Sequence, residues 1–428
     1  MSEIEDRLDE LKELGLYRRM RMVSGPQGPR IVLDGQPVLL LCSNNYLGLA
    51  DHPSVREAAA DAAMRWGVGA GASRLVSGTM TIHRRLEERL AEFEGREACV
   101  LFGSGYLANV GVVSALAQPG GMVFSDALNH ASIIDGCRLA RAETFVYDHC
   151  DLDHLAWGLQ RLEDGQGAVI VTDGVFSMDG DVAPLAELVA LAHEFDARLV
   201  VDEAHGTGAV GPGGRGACAD AGIEREVDVI VGTLGKSLGS YGAYAACDDA
   251  MAAYLVNTAR PLIFSTAPPP PAVAGALAAL ELLAAEPRRA EKLQANALAL
   301  REALAADGWD VSGSDTQIVP LIVGDAALAV RVCEAALGRG VFAQAIRPPT
   351  VPAGTSRLRL AVMASHTKAE LREAAKAIGA AARACGFQPG AAGVPAAPAA
   401  AEPRRSVAAP EAPAPAGVFD GEAFERAA

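Results

Sequence analysis

Aromatic residues are scarce, only 5% of 428 positions, so a core must be built mainly from Ala, Val and Leu. Half the chain is hydrophobic, which is ample for one. Positive charge is also short. With 37 Lys and Arg against 53 Asp and Glu, the formal net charge is −16, and no basic block interrupts the balance. Such a surface repels a phosphodiester backbone, so no nucleic-acid partner is expected. No run of about 18 apolar residues escapes helix breakers, which excludes a membrane-spanning helix. The eight cysteines, at 42, 99, 137, 150, 218, 247, 333 and 385, include no Cys-x-x-Cys pair and no histidine at zinc-ligand spacing. No metal is expected. The opening MSEIEDRLDELKEL is acidic and amphipathic, not a basic segment before an apolar one. The reading is a cytoplasmic chain with reduced thiols. No internal repeat occurs.

Glycine, by contrast, is plentiful at 45 residues, many in short loops where backbone must turn or come close to a ligand. Apolar strand-like runs recur at 98–103, 121–125, 144–148, 167–173, 197–203 and 227–233. Helical periodicity fills 106–117, 128–141 and 184–195 between them. The pattern predicts an α/β fold: a large domain with a mainly parallel sheet between helices, plus a smaller C-terminal α/β domain. The expected division is an N-terminal helix and arm at 1–44, a large domain at 45–290 and a small domain at 291–388. A long helical stretch, 270–307, bridges the last two. From 389 to 428 the composition falls to Ala and Pro, and the expectation is a disordered tail.

Two strings invite other readings. DEAH at 202–205 evokes a helicase box and GKS at 235–237 the end of a phosphate-binding loop. The loop pattern requires a glycine where this chain has Ile230, and the two strings stand in the wrong order for an ATPase. The spaced glycines at 67, 69 and 71 follow a helix where a dinucleotide fingerprint needs a strand.

Ligands of parallel sheets bind beyond the strands' carboxyl ends, and the polar residues of interest fall there. Asp202 closes one apolar run, His205 follows three positions later, and Lys236 follows the next run after a short turn. Taken singly, such residues are surface or capping groups. Together they suit one chemistry. A lysine amine forms an imine with an aldehyde cofactor, and a buried carboxylate keeps a pyridine nitrogen protonated so that the ring withdraws electrons. An opposite charge within about 4–6 Å favours the charged form by about 1–3 pKa units, enough to decide protonation at neutral pH. The helix mouth at Ser104–Gly105–Tyr106 offers free backbone N–H groups to a phosphate, and Thr233 adds a hydroxyl.

The segments SNNYLGL (43–49), SDALNHASIIDG (125–136), TDGVFSMDGD (172–181), VVDEAHGTG (200–208) and GTLGKSLGSYG (232–242) resemble the α-oxoamine synthases, fold-type I pyridoxal-phosphate enzymes. The likeness spans about residues 4–385. It implies pyridoxal 5′-phosphate as cofactor and condensation of an amino acid with an acyl-CoA or acyl-carrier-protein thioester. It also implies a homodimer with active sites at the subunit interface. By the same resemblance Lys236 carries the cofactor and moves protons, Asp202 pairs with the ring nitrogen, His205 bonds the ring oxygen, and His130 stacks on the ring beside Ser177. Thr233, Gly105 and Tyr106 hold the phosphate, with Ser265 and Thr266 reaching it from the partner subunit. Asn44 and Arg359 grip the amino-acid carboxylate, a task suited to a bidentate guanidinium.

Within the family, RPPTVP (347–352), with Arg347 and Thr350, is similar to the branch that joins L-alanine to a pimeloyl thioester with loss of CO2. Arg347 is expected to serve the distal carboxylate of the acyl chain or to shape its site. An N-terminal arginine is expected at the acyl end, Arg18 being preferred over Arg19 and Arg21 by its distance from Asn44. The alternatives are a ligase joining glycine to acetyl-CoA or another α-oxoamine synthase and, outside the class, a silent subunit that keeps the fold for assembly. The Ala/Pro tail departs from the family pattern, and so does Glu203, where many relatives have a second aspartate.

Overall fold

The computed structural model describes residues 2–18 and 20–390; the expected Ala/Pro tail lies, but for its first two residues, outside the described residues. The larger sheet runs Ala98–Phe102, Ala243–Cys247, Val229–Thr233, Arg198–Asp202, Ala168–Asp173, Met122–Asp126, Glu143–Tyr147 across its width. All strands are parallel except Ala243–Cys247, which pairs antiparallel with both neighbours. That strand, AYAAC, is small and alanine-rich, and no β-branched run marks it in the sequence.

Alternate residues of these strands enter two separate clusters. Leu101, Phe124, Ile170, Val201 and Ile230 join the core on one face, and Val100, Val123, Val171, Val200 and Val231 the core on the other. Helices therefore cover both faces, which is why the strands read as unbroken apolar runs. Each such side chain contributes about 1.5–3 kcal/mol on full burial.

The stretch 270–307 forms two helices, not one: Pro270–Ala285 and Arg288–Ala306. Pro287, which has no N–H to donate, stands at the break. A three-stranded antiparallel sheet follows, with Ser356–Ala361 between Ile318–Gly324 and Gln344–Ile346. The N-terminal segment is more than a helix and arm. After the helix Glu3–Glu13, which buries no residue, the chain forms Val23–Ser24, Arg30–Leu33 and Gln36–Leu40. The last of these pairs in parallel with Val341–Phe342, so the chain entering Asn44 and Tyr46 is fixed to the C-terminal part of the fold. Among the described residues no helix is long and apolar enough to cross a membrane.

Candidate active site

Several segments, distant in sequence, meet beyond the carboxyl ends of the parallel strands. Lys236 lies in the turn after Val229–Thr233, and its Nζ is 2.7 Å from His205 Nε2. The turn is tight. Gly239 has φ +60°, and a Cβ there would lie 2.3 Å from the backbone nitrogen of Ala50. Burial, partly offset by the charges of Asp202 and Asp173, lowers the Lys236 amine to about 8. Burial and the same lysine hold His205 well below the usual imidazole range. Its Nδ1 lies 2.6 Å from the Tyr46 hydroxyl, and its carbonyl accepts from Gln317 Nε2 at 2.8 Å.

Asp202, at the end of Arg198–Asp202, is 4% exposed. Its Oδ1 accepts from the Ala204 N–H at 2.8 Å and its Oδ2 from Asn109 Nδ2 at 2.6 Å. Asn109 also reaches Ser132 Oγ at 2.9 Å, and Ser132 Oγ lies 2.7 Å from His130 Nδ1. That Nδ1 accepts the Ser132 backbone N–H too, so His130 caps the helix Ala131–Ala140 and keeps its other ring nitrogen for a ligand. Burial lowers the His130 imidazole, against the pull of Asp202, and it stands neutral. The His130 N–H donates to Asp173 at 3.0 Å; burial, then the charge of Asp202, holds the Asp173 carboxyl well above the usual range.

Arg359 is buried in the middle strand of the small sheet. It donates to Asn44 Oδ1 at 3.2 Å, to the Tyr46 hydroxyl at 3.3 Å and to the Ser177 carbonyl. The sequence-predicted Asn44, Ser177 and Arg359 thus stand together, with Tyr46 linking them to His205. The phosphate candidates also converge. Gly105 opens the helix Gly105–Leu116 behind the Ser104 cap, and a Cβ on it would lie 3.9 Å from Thr233. The first-turn N–H groups of Gly105 and Tyr106 have no intrahelical acceptor. Ser265 and Thr266 sit elsewhere: Thr266 bridges to Ser73, in the loop after the helix Pro53–Trp66.

Arg18, Arg347 and Thr350 share a cavity of about 710 Å³ with Arg21. Arg347 donates to the carbonyls of Gly15 and Tyr17, so it fastens the N-terminal arm instead of offering a free cation. Arg21 pairs with Asp34 and Glu334. Arg18 is exposed and has no side-chain partner among the described residues. Glu203, the departure from two aspartates, is buried and accepts the Cys218 N–H at 2.6 Å; a Cβ at Gly206 would lie 1.7 Å from its carboxylate.

A family model described as aminotransferase class I and II matches residues 36–378. The chain belongs to this family. It is 52% identical over 377 residues to a protein of Citrifermentans bemidjiense described as 8-amino-7-oxononanoate synthase, covering 88% of this chain and 97% of the relative. A protein of Thermoanaerobacter pseudethanolicus with the same description is 44% identical, over 87% and 95% of the two chains. Among solved structures, a serine palmitoyltransferase of S. paucimobilis with bound PLP superposes with a TM-score of 0.85 at 34% identity, covering 90% of this chain and 97% of that one. An 8-amino-7-oxononanoate synthase from Francisella tularensis gives 0.70 at 28% identity, over 81% and 98%. The expected fold-type I class-I/II arrangement is the one observed.

Sequence reasoning missed Tyr46, Asn109, Asp173 and Gln317. For Asn109 a signal existed, a lone amide inside the otherwise apolar helix GYLANVGVVSAL.

Proposed function

We propose that the chain condenses L-alanine with a pimeloyl thioester, carried on CoA or a carrier protein, releasing CO2 and forming 8-amino-7-oxononanoate for biotin synthesis. The cofactor is pyridoxal 5′-phosphate. The residues suit it: an enclosed amine, a buried carboxylate held by an amide, a free imidazole nitrogen, and a helix mouth beside a hydroxyl. The observation that carries the reading is the buried Lys236 amine 2.7 Å from His205, its pKa lowered by burial and partly restored by Asp202.

Bound pyridoxal phosphate supplies an electron-withdrawing ring for charge developing at the amino acid's α-carbon. Lys236 holds the cofactor and moves the proton at that carbon. An amine with a pKa near 8 is neutral in about a tenth of molecules at pH 7, a usable nucleophile and base. Asp202 would keep the ring nitrogen protonated, and His205, neutral His130 and Ser177 would hold the ring. Gly105, Tyr106 and Thr233 bind the phosphate. Arg359 and Asn44 orient the alanine carboxylate.

Arg18 is assigned to the distal carboxylate of the acyl chain, because Arg21 and Arg347 in the same cavity are already engaged. Arg347 and Thr350 shape that cavity by holding the arm. Homodimer assembly fits two exposed apolar side chains near the Ser73–Thr266 bridge, Val76 at 80% and Phe264 at 70%. Ser265 and Thr266 would then serve the partner's phosphate. The free thiols suit a cytoplasmic setting.

The test compares kcat/KM for pimeloyl-CoA and uncharged heptanoyl-CoA with L-alanine. Wild type is expected to prefer pimeloyl-CoA, and Arg18→Ala to lose most of that preference, about 10- to 100-fold for one charged hydrogen bond. Arg347→Ala is expected to raise KM for both chains alike. Equal use of the two acyl chains by wild type would sink the dicarboxylate reading, and a best rate with glycine and acetyl-CoA would reassign the reaction.

A further inference from the structure

One charged cluster stands outside the residues that hold cofactor and substrate. His149 follows the strand Glu143–Tyr147 and lies between two carboxylates. Its Nδ1 is 3.0 Å from Asp126 Oδ1 and its Nε2 is 2.8 Å from Asp181 Oδ2. A carboxylate only accepts, so both ring nitrogens donate and the ring is an imidazolium.

Each partner closes one piece of the site. Asp126, at the end of Met122–Asp126, accepts the N–H groups of Leu128 at 2.8 Å and Cys150 at 2.9 Å, shaping the turn that presents His130. Asp181 closes the 174–182 loop, where Val175 bridges to Val182 and the Phe176 N–H donates to the Asp181 carbonyl at 3.0 Å. The Phe176 ring meets His149 edge-on, with centroids 4.4 Å apart. This loop carries Ser177. From its other side Arg357 pairs with Asp179, and Arg359 holds the Ser177 carbonyl.

We propose that His149 is a positioning residue whose imidazolium clamps the Ser177 loop to the turn that presents His130. The proposal rests on the reading that His130 and Ser177 contact the cofactor. Burial opposes the charge on His149, but the hydrogen bonds to Asp126 and Asp181 overcome it and push the imidazole up to about 12. The groups facing it are Asp126 from its strand end, Asp181 and Phe176 from the loop, and Cys150 on its own segment. The Cys150 sulfur is 3.7 Å from both ring nitrogens, longer than either nitrogen's contact with a carboxylate.

The experiment uses the full-length protein with pyridoxal phosphate as probe. His149→Ala is expected to weaken cofactor affinity by about 10- to 100-fold, the range for a charge-assisted hydrogen bond. It is also expected to change the circular dichroism of the cofactor's visible band, while KM for pimeloyl-CoA stays near wild type. Added imidazole should restore both cofactor signals. Asp181→Asn, which keeps the shape and loses the charge, should reproduce the loss without imidazole rescue. A folded His149→Ala or Asp181→Asn with wild-type cofactor affinity and dichroism, changed only in melting temperature, would overturn the clamp. Failure of the underlying reading looks different: His130→Ala and Ser177→Ala would themselves leave cofactor affinity and dichroism at the wild-type values.

Discussion

Asp202 is held at two points, by the Ala204 N–H and by Asn109, and both are donors that only an acceptor satisfies. The carboxylate is therefore presented in one orientation. Replacing it by the isosteric amide would set an NH₂ group against the Asn109 amide or the Ala204 N–H. We expect Asp202→Asn to bind pyridoxal phosphate yet to slow exchange of the alanine α-hydrogen with deuterated solvent by at least about 100-fold, since loss of a charge interaction of about 1.5–3 kcal/mol adds to loss of the ring proton. Exchange at the wild-type rate would remove the electron-sink role from this residue. At this scale the sequence was informative where a polar residue ends an apolar strand, as with Asp202, His205 and Lys236. It was silent where the partner sits inside another element. Asn109 lies on a helix, Tyr46 in a loop 159 positions before His205, and only folding brings them to hydrogen-bond distance.

At the scale of elements, the β-branched runs and the helices between them gave the sheet, because strands covered on both faces leave unbroken apolar stretches. The antiparallel Ala243–Cys247 and the short Val23–Ser24 and Val341–Phe342 carried too little pattern to be seen. The break at Pro287 is masked in the sequence because the flanking Ala and Leu keep helical periodicity through it. The segments at 67–78 and 264–266 make their own prediction. They are joined by the Ser73–Thr266 bridge yet expose Val76 and Phe264, apolar surface that a second copy would cover. Wild type should elute at twice the chain mass. The double substitution Val76→Asp, Phe264→Asp should yield a folded monomer with little activity, measured by light scattering and turnover. A fully active monomer would contradict an interface active site.

For the whole molecule, the electrostatics set a problem that the site answers locally. Both the cofactor and the proposed acyl substrate are anionic, while the chain carries −16. At physiological ionic strength that field fades over about 8 Å, so capture would depend on cations close to the ligand, the role proposed for Lys236, Arg359 and Arg18. Lys236 follows a parallel strand, Arg359 lies on the small sheet and Arg18 on the N-terminal arm, so the three proposed cations come from separate parts of the fold. Lys236 is the proposed anchor of the cofactor. Borohydride reduction of the protein loaded with pyridoxal phosphate, followed by peptide mapping, should place the reduced cofactor on the peptide containing Lys236, and a folded Lys236→Ala variant should show no visible cofactor band. Label on another lysine, or a Lys236→Ala variant with undiminished turnover, would contradict it.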